Sequence, residues 1–450
     1  MAWLLYKGAV RVTYAALPID SARRQLERLA AFMDEFAGCF GREAQRDASR
    51  RYVRGLLSAS ERKSIQAMSA ARSNAEYQRV HHFISEAPWK EGEIWRRIRA
   101  RAIDRRGVIV VDDTGFAKQG IRSVAVARQY CPPLGKVANC QVAVTSVLRS
   151  PRSTWLLGMD LYLPGEWVDD HERRERALVP KSVRAKKKWE LALGQISRAK
   201  REAFEISGVA ADAGYGDIGE FRDGIAKLGL RYVVRCTGRQ IAFRERPRFS
   251  NRKSRKGKRV ERVLTAGSPQ TKTLKQIAES LPDRSFRRVT WGKGSKGPMR
   301  IRVTALRILL AAGWREGVKP KECWLLVRRK RDGSHKLYIS NLPINARLVE
   351  LVQIAYSRWA VEQSYQQLKD DLGFDHLECR SWVAWQHHAA LSALAFTFLG
   401  IERRRSRLSL LPTIPAARRV ISRLALAMTV VEDPEMRELV TSFARDPPRF

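Results

Sequence analysis

Acidic residues are in short supply in this chain. Its 450 residues hold 46 Asp and Glu against 85 Lys and Arg, for a net charge of +39 and a pI near 10.7. A field of that sign asks for a polyanionic partner, with DNA or RNA first, and makes the binding salt-sensitive. Cysteine is also sparse: six residues, at 39, 131, 140, 236, 323 and 379, none with C-x-x-C spacing. That argues against a zinc knuckle or a disulfide framework and fits a reducing cytoplasm. Long apolar runs are missing: the longest, Ala389–Gly400, is too short to cross a bilayer, and the first eight residues are too short for a signal peptide. No phosphate loop of the G-x-x-x-x-G-K-[ST] kind exists, since G-K-G-S-K-G at 292–297 does not match it. A soluble cytoplasmic protein, with no membrane role and no nucleotide cofactor, is the expectation.

What is present is enough to fold. Hydrophobic residues make up 44% and there are twelve Trp, while the length exceeds a single ordinary core. Leu26, Leu29, Met33, Phe36 and Phe40 form an apolar stripe at helical spacing that ends at Gly41. Basic helical stretches follow near Arg50–Leu57 and Ser64–Ala71, so an α-helical DNA-binding domain is expected over 1–104.

The texture changes at Gly107. Val108–Val111 is a β-branched run ending in Asp112-Asp113-Thr114-Gly115, a buried strand that delivers carboxylates at its end. Strands are expected at Gln141–Leu148, Trp155–Leu163, Ile206–Ala211 and Tyr232–Cys236, with helices over Lys186–Glu205 and 217–228. This is a mixed α/β core over 105–239. Arg244–Arg262 then holds ten Lys or Arg against two acids. Such a segment is too charged to bury and reads as a phosphate-gripping loop or hairpin, with Lys253, Arg255, Lys256, Lys258 and Arg259 as its cations. It opens a β-rich insertion over 240–335, with strands at Arg287–Trp291, Met299–Ile308 and Glu322–Arg328. The core resumes over 336–403 with a strand at Lys336–Asn341 and helices at 346–373 and 383–403. A helical tail, 404–450, completes the chain.

Three acids stand out by position: Asp113 and Asp212 end strands, and Glu362 lies on a helix after a long gap. Arg358, Glu362, Tyr365 and Lys369 fall at i, i+4, i+7 and i+11, which stacks them along one helix face. Carboxylates from two strands and a helix can hold a hard divalent cation with open positions for phosphate oxygens. His387 and His388 have no ligand spacing and read as a packed helical pair; Asp370 and Asp371 read as solvated.

The pattern R-x₃-E-x₆-K at 358–369 resembles the signature of bacterial insertion-sequence transposases of the DDE, RNase H-like type. More narrowly it resembles the branch with a Tyr-Arg-Glu-Lys motif and a β insertion before the Glu. V-V-D-D-T-G-F-A-K-Q-G (110–120), A-A-D-A-G-Y-G-D (210–217) and L-G-F-D-H-L-E-C-R-S-W (372–382) resemble the segments around the first Asp, the second Asp and the stretch after the Glu. The resemblance runs in order over roughly residues 20–400. It implies an RNase H-like mixed-sheet core interrupted by the insertion, with Asp113, Asp212 and Glu362 as ligands of Mg²⁺, for which Mn²⁺ can substitute. Asp113 is preferred to Asp112 because the family's Asp is commonly followed by Thr or Ser, and Thr114 follows Asp113. Arg358 and Lys369 would contact phosphates beside the scissile bond. Tyr356 lies two residues before Arg358 where the motif has three, and Tyr365 is the alternative for its role. The implied partners are the element's terminal inverted repeats and a target duplex. A homodimer on paired ends, a hairpin intermediate and a place on the bacterial nucleoid are implied in the same way.

Overall fold

A computed structural model describes residues 19–58, 60–69, 74–151, 153–253, 260–294 and 297–405. Five helices come first: α1 (Ile19–Asp34), α2 (Glu43–Leu56), α3 (Ile65–Ser69), α4 (Asn74–Ser85) and α5 (Glu91–Ala100). The predicted stripe is their core, since Leu26, Leu29, Met33, Phe36 and Phe40 are all buried. Its last two members sit beyond α1, flanking a 3₁₀ turn at Ala37–Cys39.

The core follows with β1 (Arg106–Ala117), β2 (Ala127–Cys131), β3 (Lys136–Arg149) and β4 (Thr154–Leu161). After the short helices α6 (Gly165–Val168) and α7 (His171–Arg176), α8 (Lys188–Arg201) crosses to β5 (Glu205–Ala211). Next come α9 (Ala213–Gly216), α10 (Gly219–Lys227) and β6 (Tyr232–Cys236). β4, β3 and β1 run antiparallel in that order, and β5 and β6 lie parallel to β1. This is the RNase H-like sheet. Its strands are fully buried apolar runs because helices cover both faces.

The segment from 240 to 335 extends that sheet. β7 (Ile241–Phe243), β10 (Lys272–Thr273), β11 (Arg287–Gly294), β12 (Gly297–Leu310) and β13 (Lys321–Arg329) join β14 (His335–Ser340), which pairs with β6. The path reads β10-β7-β12-β13-β14-β6-β5-β1-β3-β2. Among the described residues only β8 (Phe249–Lys253) and β9 (Val260–Leu264) stand apart, as an antiparallel pair in the basic stretch. The short helix α11 (Leu274–Glu279) carries a Thr273 cap.

The expected helix over 346–373 is broken. α12 (Leu348–Tyr356) stops at Ser357, α13 (Trp359–Gln366) starts afresh, and a π-helical turn covers Gln367–Asp371. No Pro or Gly marks the break, so periodicity alone gave no sign of it. π turns widen a helix locally and are frequent at functional sites. Asp371, expected in solvent, is buried on this turn.

α14 (Trp382–Arg405) is buried over most of its length and joins the two layers. Arg28 of α1 makes a bidentate pair with Glu402 at 2.8 and 2.7 Å. The Tyr52 hydroxyl meets His388 Nδ1 at 2.7 Å, while His388 Nε2 lies 2.9 Å from the Phe374 carbonyl. The two histidines are thus packed and bonded within the core. Arg99 of α5 grips Glu202 at the end of α8 through two bonds. Among the described residues no helix is long and apolar enough to cross a membrane.

Candidate active site

Alternation along β1 turns Asp112 and Asp113 to opposite faces of the sheet. Asp112 lies opposite Thr145, and the Tyr365 hydroxyl of α13 bonds both Thr145 and, at 3.0 Å, the Asp112 carbonyl. Asp113 lies opposite Val144, which pairs with Asp160. Gln195 of α8 donates to the Val144 carbonyl and the Asp160 carboxylate, so α8 covers that side. Asp113 is tied down there: Lys188 Nζ sits 2.8 Å from one of its oxygens and the Tyr215 hydroxyl donates to the other.

Asp212 is on the Asp112 side. Val111 of β1 pairs in parallel with Ala211 of β5, so Asp112 and Asp212 are the next residues on adjacent strands. Ile354 of α12 presses against Gly208, which shares this face. Asp212 also caps α9, accepting from the Tyr215 amide at 3.3 Å. It is therefore Asp112, and not the preferred Asp113, that faces Asp212.

A guanidinium pairs with one of the two acids and feels the charge of the other. Arg358, which caps α13, donates to Asp112 Oδ2 at 2.7 Å, and both side chains are largely buried. Burial pushes the Asp112 carboxyl up to about 6, against the pull of Arg358, and the charge of Asp212 adds to the rise. Arg358 itself holds its proton more tightly than usual. Burial opposes its charge, but Asp112, Asp212 and Glu362 outweigh it. Among the described residues its buried Nε has no hydrogen-bond partner.

The rest of the predicted helix face divides. Lys369, on the π turn, reaches β1: its ammonium bonds the Gly115 carbonyl at 2.6 Å and lies over the Phe116 ring, and burial pulls its pKa down. Tyr365 is committed to β1 as described, with a hydroxyl pushed well above its ordinary pKa by burial and then by Asp112. Both side chains pin the helix to the strand. Glu362 is exposed and makes no hydrogen bond or salt bridge among the described residues. Tyr356 is half-buried, with its ring 4.7 Å from Trp291 and under the Arg328 guanidinium. Lys253 ends β8, and Arg255, Lys256, Lys258 and Arg259 lie outside the described residues.

The donor set is all oxygen, which suits a hard divalent cation. Two of its carboxylates follow paired residues of neighbouring strands and one is already paired with a cationic group, so the residues fit such an ion in kind and charge. Among the described residues no three of His, Cys, Asp and Glu stand close enough to hold one as they are. Asp112, which sequence reasoning placed second to Asp113, is the acid on the α13 side of the sheet. A following Thr does not say which of two neighbouring acids faces inward.

Residues 35–298 match the family of DDE superfamily endonucleases. The chain belongs to that family. The chain is 30% identical over 186 residues, 40% of its length, to the probable transposase for insertion sequence element IS701 of Microchaete diplosiphon. It spans about half, 46%, of that relative's length. A solved piggyBac transposase synaptic complex with hairpin DNA aligns over 96% of this chain and 86% of that chain. Its TM-score is 0.38 at 8% identity, below the level that fixes a shared fold.

Proposed function

We propose that the protein is the DNA transposase of an insertion sequence, of the Tyr-Arg-Glu-Lys branch, cutting and joining DNA at the element's ends with divalent metal. One observation carries the reading: Asp112 within β1 and Asp212 just beyond the end of the parallel neighbour β5 follow paired residues beneath α13, which Arg358 caps and which bears Glu362. Asp112, Asp212 and Glu362 would hold the cation, with Asp112 taking the place that sequence alone assigned to Asp113. When bound, Mg²⁺ or Mn²⁺ supplies the activation of water or a 3′-hydroxyl and the charge that stabilises the leaving oxygen.

The remaining roles belong to side chains. Arg358 offsets the charge of the acidic pair in the free protein. Lys369 and Tyr365 fix the position of the Glu362 helix against β1. Asp113, through Lys188 and Tyr215, sets the loop that carries Asp212. Water attack frees a 3′-hydroxyl, which then attacks a second phosphodiester, so no nucleotide hydrolysis is needed. A hairpin on one flank, a homodimer on paired ends and duplex inverted repeats complete the reading.

The test is an excision and joining assay with terminal-repeat DNA and Mg²⁺. Wild type should release the element and join it to a target, and Glu362→Gln should do neither. Cleavage without a joined product would instead identify a stand-alone nuclease with the same core. Undiminished cleavage by Glu362→Gln would remove that residue from the site.

A further inference from the structure

The face that carries the two aspartates continues across the sheet as a row of cations. Ala210 of β5 pairs with Val233 of β6, so Arg235, two residues on, lies on the same face. Arg235 pairs with Tyr338 of β14, which brings Lys336 to that face, and Lys336 pairs with Arg328 of β13. Five strands that are neighbours in the sheet thus present Asp112, Asp212, Arg235, Lys336 and Arg328 in that order.

The three cations are half-buried and form no salt bridge among the described residues. Lys336 feels their crowding: burial lowers its pKa first, then the charges of Arg235, Arg328 and Lys330, and only Glu362 pulls it back up. Gathering like charges on a partly desolvated face costs free energy in the folded protein unless an anion sits there. The row ends at aromatic side chains. The Arg328 guanidinium lies 5.5 Å from the Tyr356 ring centre, Tyr356 packs on Trp291, and Trp291 meets the exposed Trp359 edge-on at 6.1 Å. Cations beside an aromatic face are what a polynucleotide strand recognises, through phosphates and through stacking.

We infer that Arg235, Lys336 and Arg328 form a phosphodiester-binding track along which the nucleic-acid strand runs from the acidic pair toward the Trp291–Trp359 aromatic group. Strands lie about 4.8 Å apart, so β6 to β13 spans about 10 Å, the axial rise of about three nucleotides of a duplex strand. Of the three, Lys336 also feels the charge of Glu362. This rests on the transposase reading for the identity of the strand, but its chemistry requires only a phosphate backbone.

The test is fluorescence anisotropy of a fluorescein-labelled duplex with a single-stranded 3′ extension, titrated with the full chain at several salt concentrations. Replacing all three cations (Arg235→Gln, Arg328→Gln, Lys336→Gln) should flatten the plot of log affinity against log salt by about 2 to 3 units and weaken binding at 0.1 M salt by at least about tenfold. Swapping charge-preserving residues (Arg235→Lys, Arg328→Lys, Lys336→Arg) should restore the slope. Removing as many cations from the opposite face (Arg198→Gln, Arg201→Gln, Lys227→Gln) should leave it near wild type. Should the triple variant not fold by thermal unfolding, Lys336→Gln alone must still lower the slope by about 1. Coincident slopes, or equal loss from the opposite face, overturn the track. Binding is read apart from cleavage: a wild type that binds with the predicted slopes yet neither cuts nor joins keeps the track and defeats the catalytic reading.

Discussion

Replacing each of the two neighbouring aspartates by asparagine should separate catalysis from stability. Asp113→Asn removes the ion pair with Lys188, whose side chains are 32% and 20% exposed, a partly solvated pair worth at most about 1 kcal/mol. It also converts the charge-assisted bond from Tyr215 into a neutral one, a further loss of about 1 kcal/mol. Stability should therefore fall by about 1–2 kcal/mol, with cleavage within about tenfold of wild type because the acidic pair is untouched. Asp112→Asn keeps the shape and can still accept from Arg358, and it relieves the repulsion with Asp212, so stability should change by less than about 2 kcal/mol. Its cleavage should fall at least about a thousandfold, about 4 kcal/mol of transition-state stabilisation, because a metal ligand is gone. Thermal unfolding of each variant and single-turnover cleavage of terminal-repeat DNA read the two effects separately. An inactive Asp113→Asn beside an active Asp112→Asn would refute the face argument.

Three other outcomes follow from the packing. His388 is neutral with both ring nitrogens bonded, and burial lowers its pKa from 6.5 to about 4. Its contribution is fully present above pH 6.5 and is lost as pH falls toward 4, up to about 3 kcal/mol, so His388→Leu should flatten the fall in melting temperature over that window. Glu202→Gln leaves the Arg99 guanidinium, 5% exposed, without a counter-charge, and thermal unfolding should show a loss of about 3 kcal/mol. Gly216→Ala would place a Cβ 1.9 Å from the Arg235 carbonyl oxygen, backbone that cannot turn aside, so a loss above about 2 kcal/mol is expected, with unchanged melting as the contrary result.

Much of the core was legible because apolar runs mark its strands, two of them followed at once by an acid. Val108–Val111, Ile206–Ala211 and Tyr232–Cys236 fall inside β1, β5 and β6. Helical spacing also brought Arg358, Tyr365 and Lys369 to one strand. The spacing did not predict that Glu362 stands exposed while Arg358, Tyr365 and Lys369 turn to β1. Arg358, Glu362 and Tyr365 share one helical stretch, and the π turn after them shifts the phase of Lys369 alone. Asp112 and Asp113 were indistinguishable for a related reason: alternation separates them but does not say which side is covered by α13. Arg235, Arg328 and Lys336 are spread over three strands that become neighbours only through sheet register. The one local sign was a cation at the end of an apolar run, as in V-V-R-C and L-L-V-R-R.

The central claim, a divalent cation held by Asp112, Asp212 and Glu362, is tested most directly by Mn²⁺ binding to the folded protein, followed by the loss of the free-ion paramagnetic resonance signal. Wild type should take up Mn²⁺, and the double variant Asp112→Asn, Asp212→Asn should not, with Asp113→Asn close to wild type. Uptake undiminished in the double variant would contradict the account.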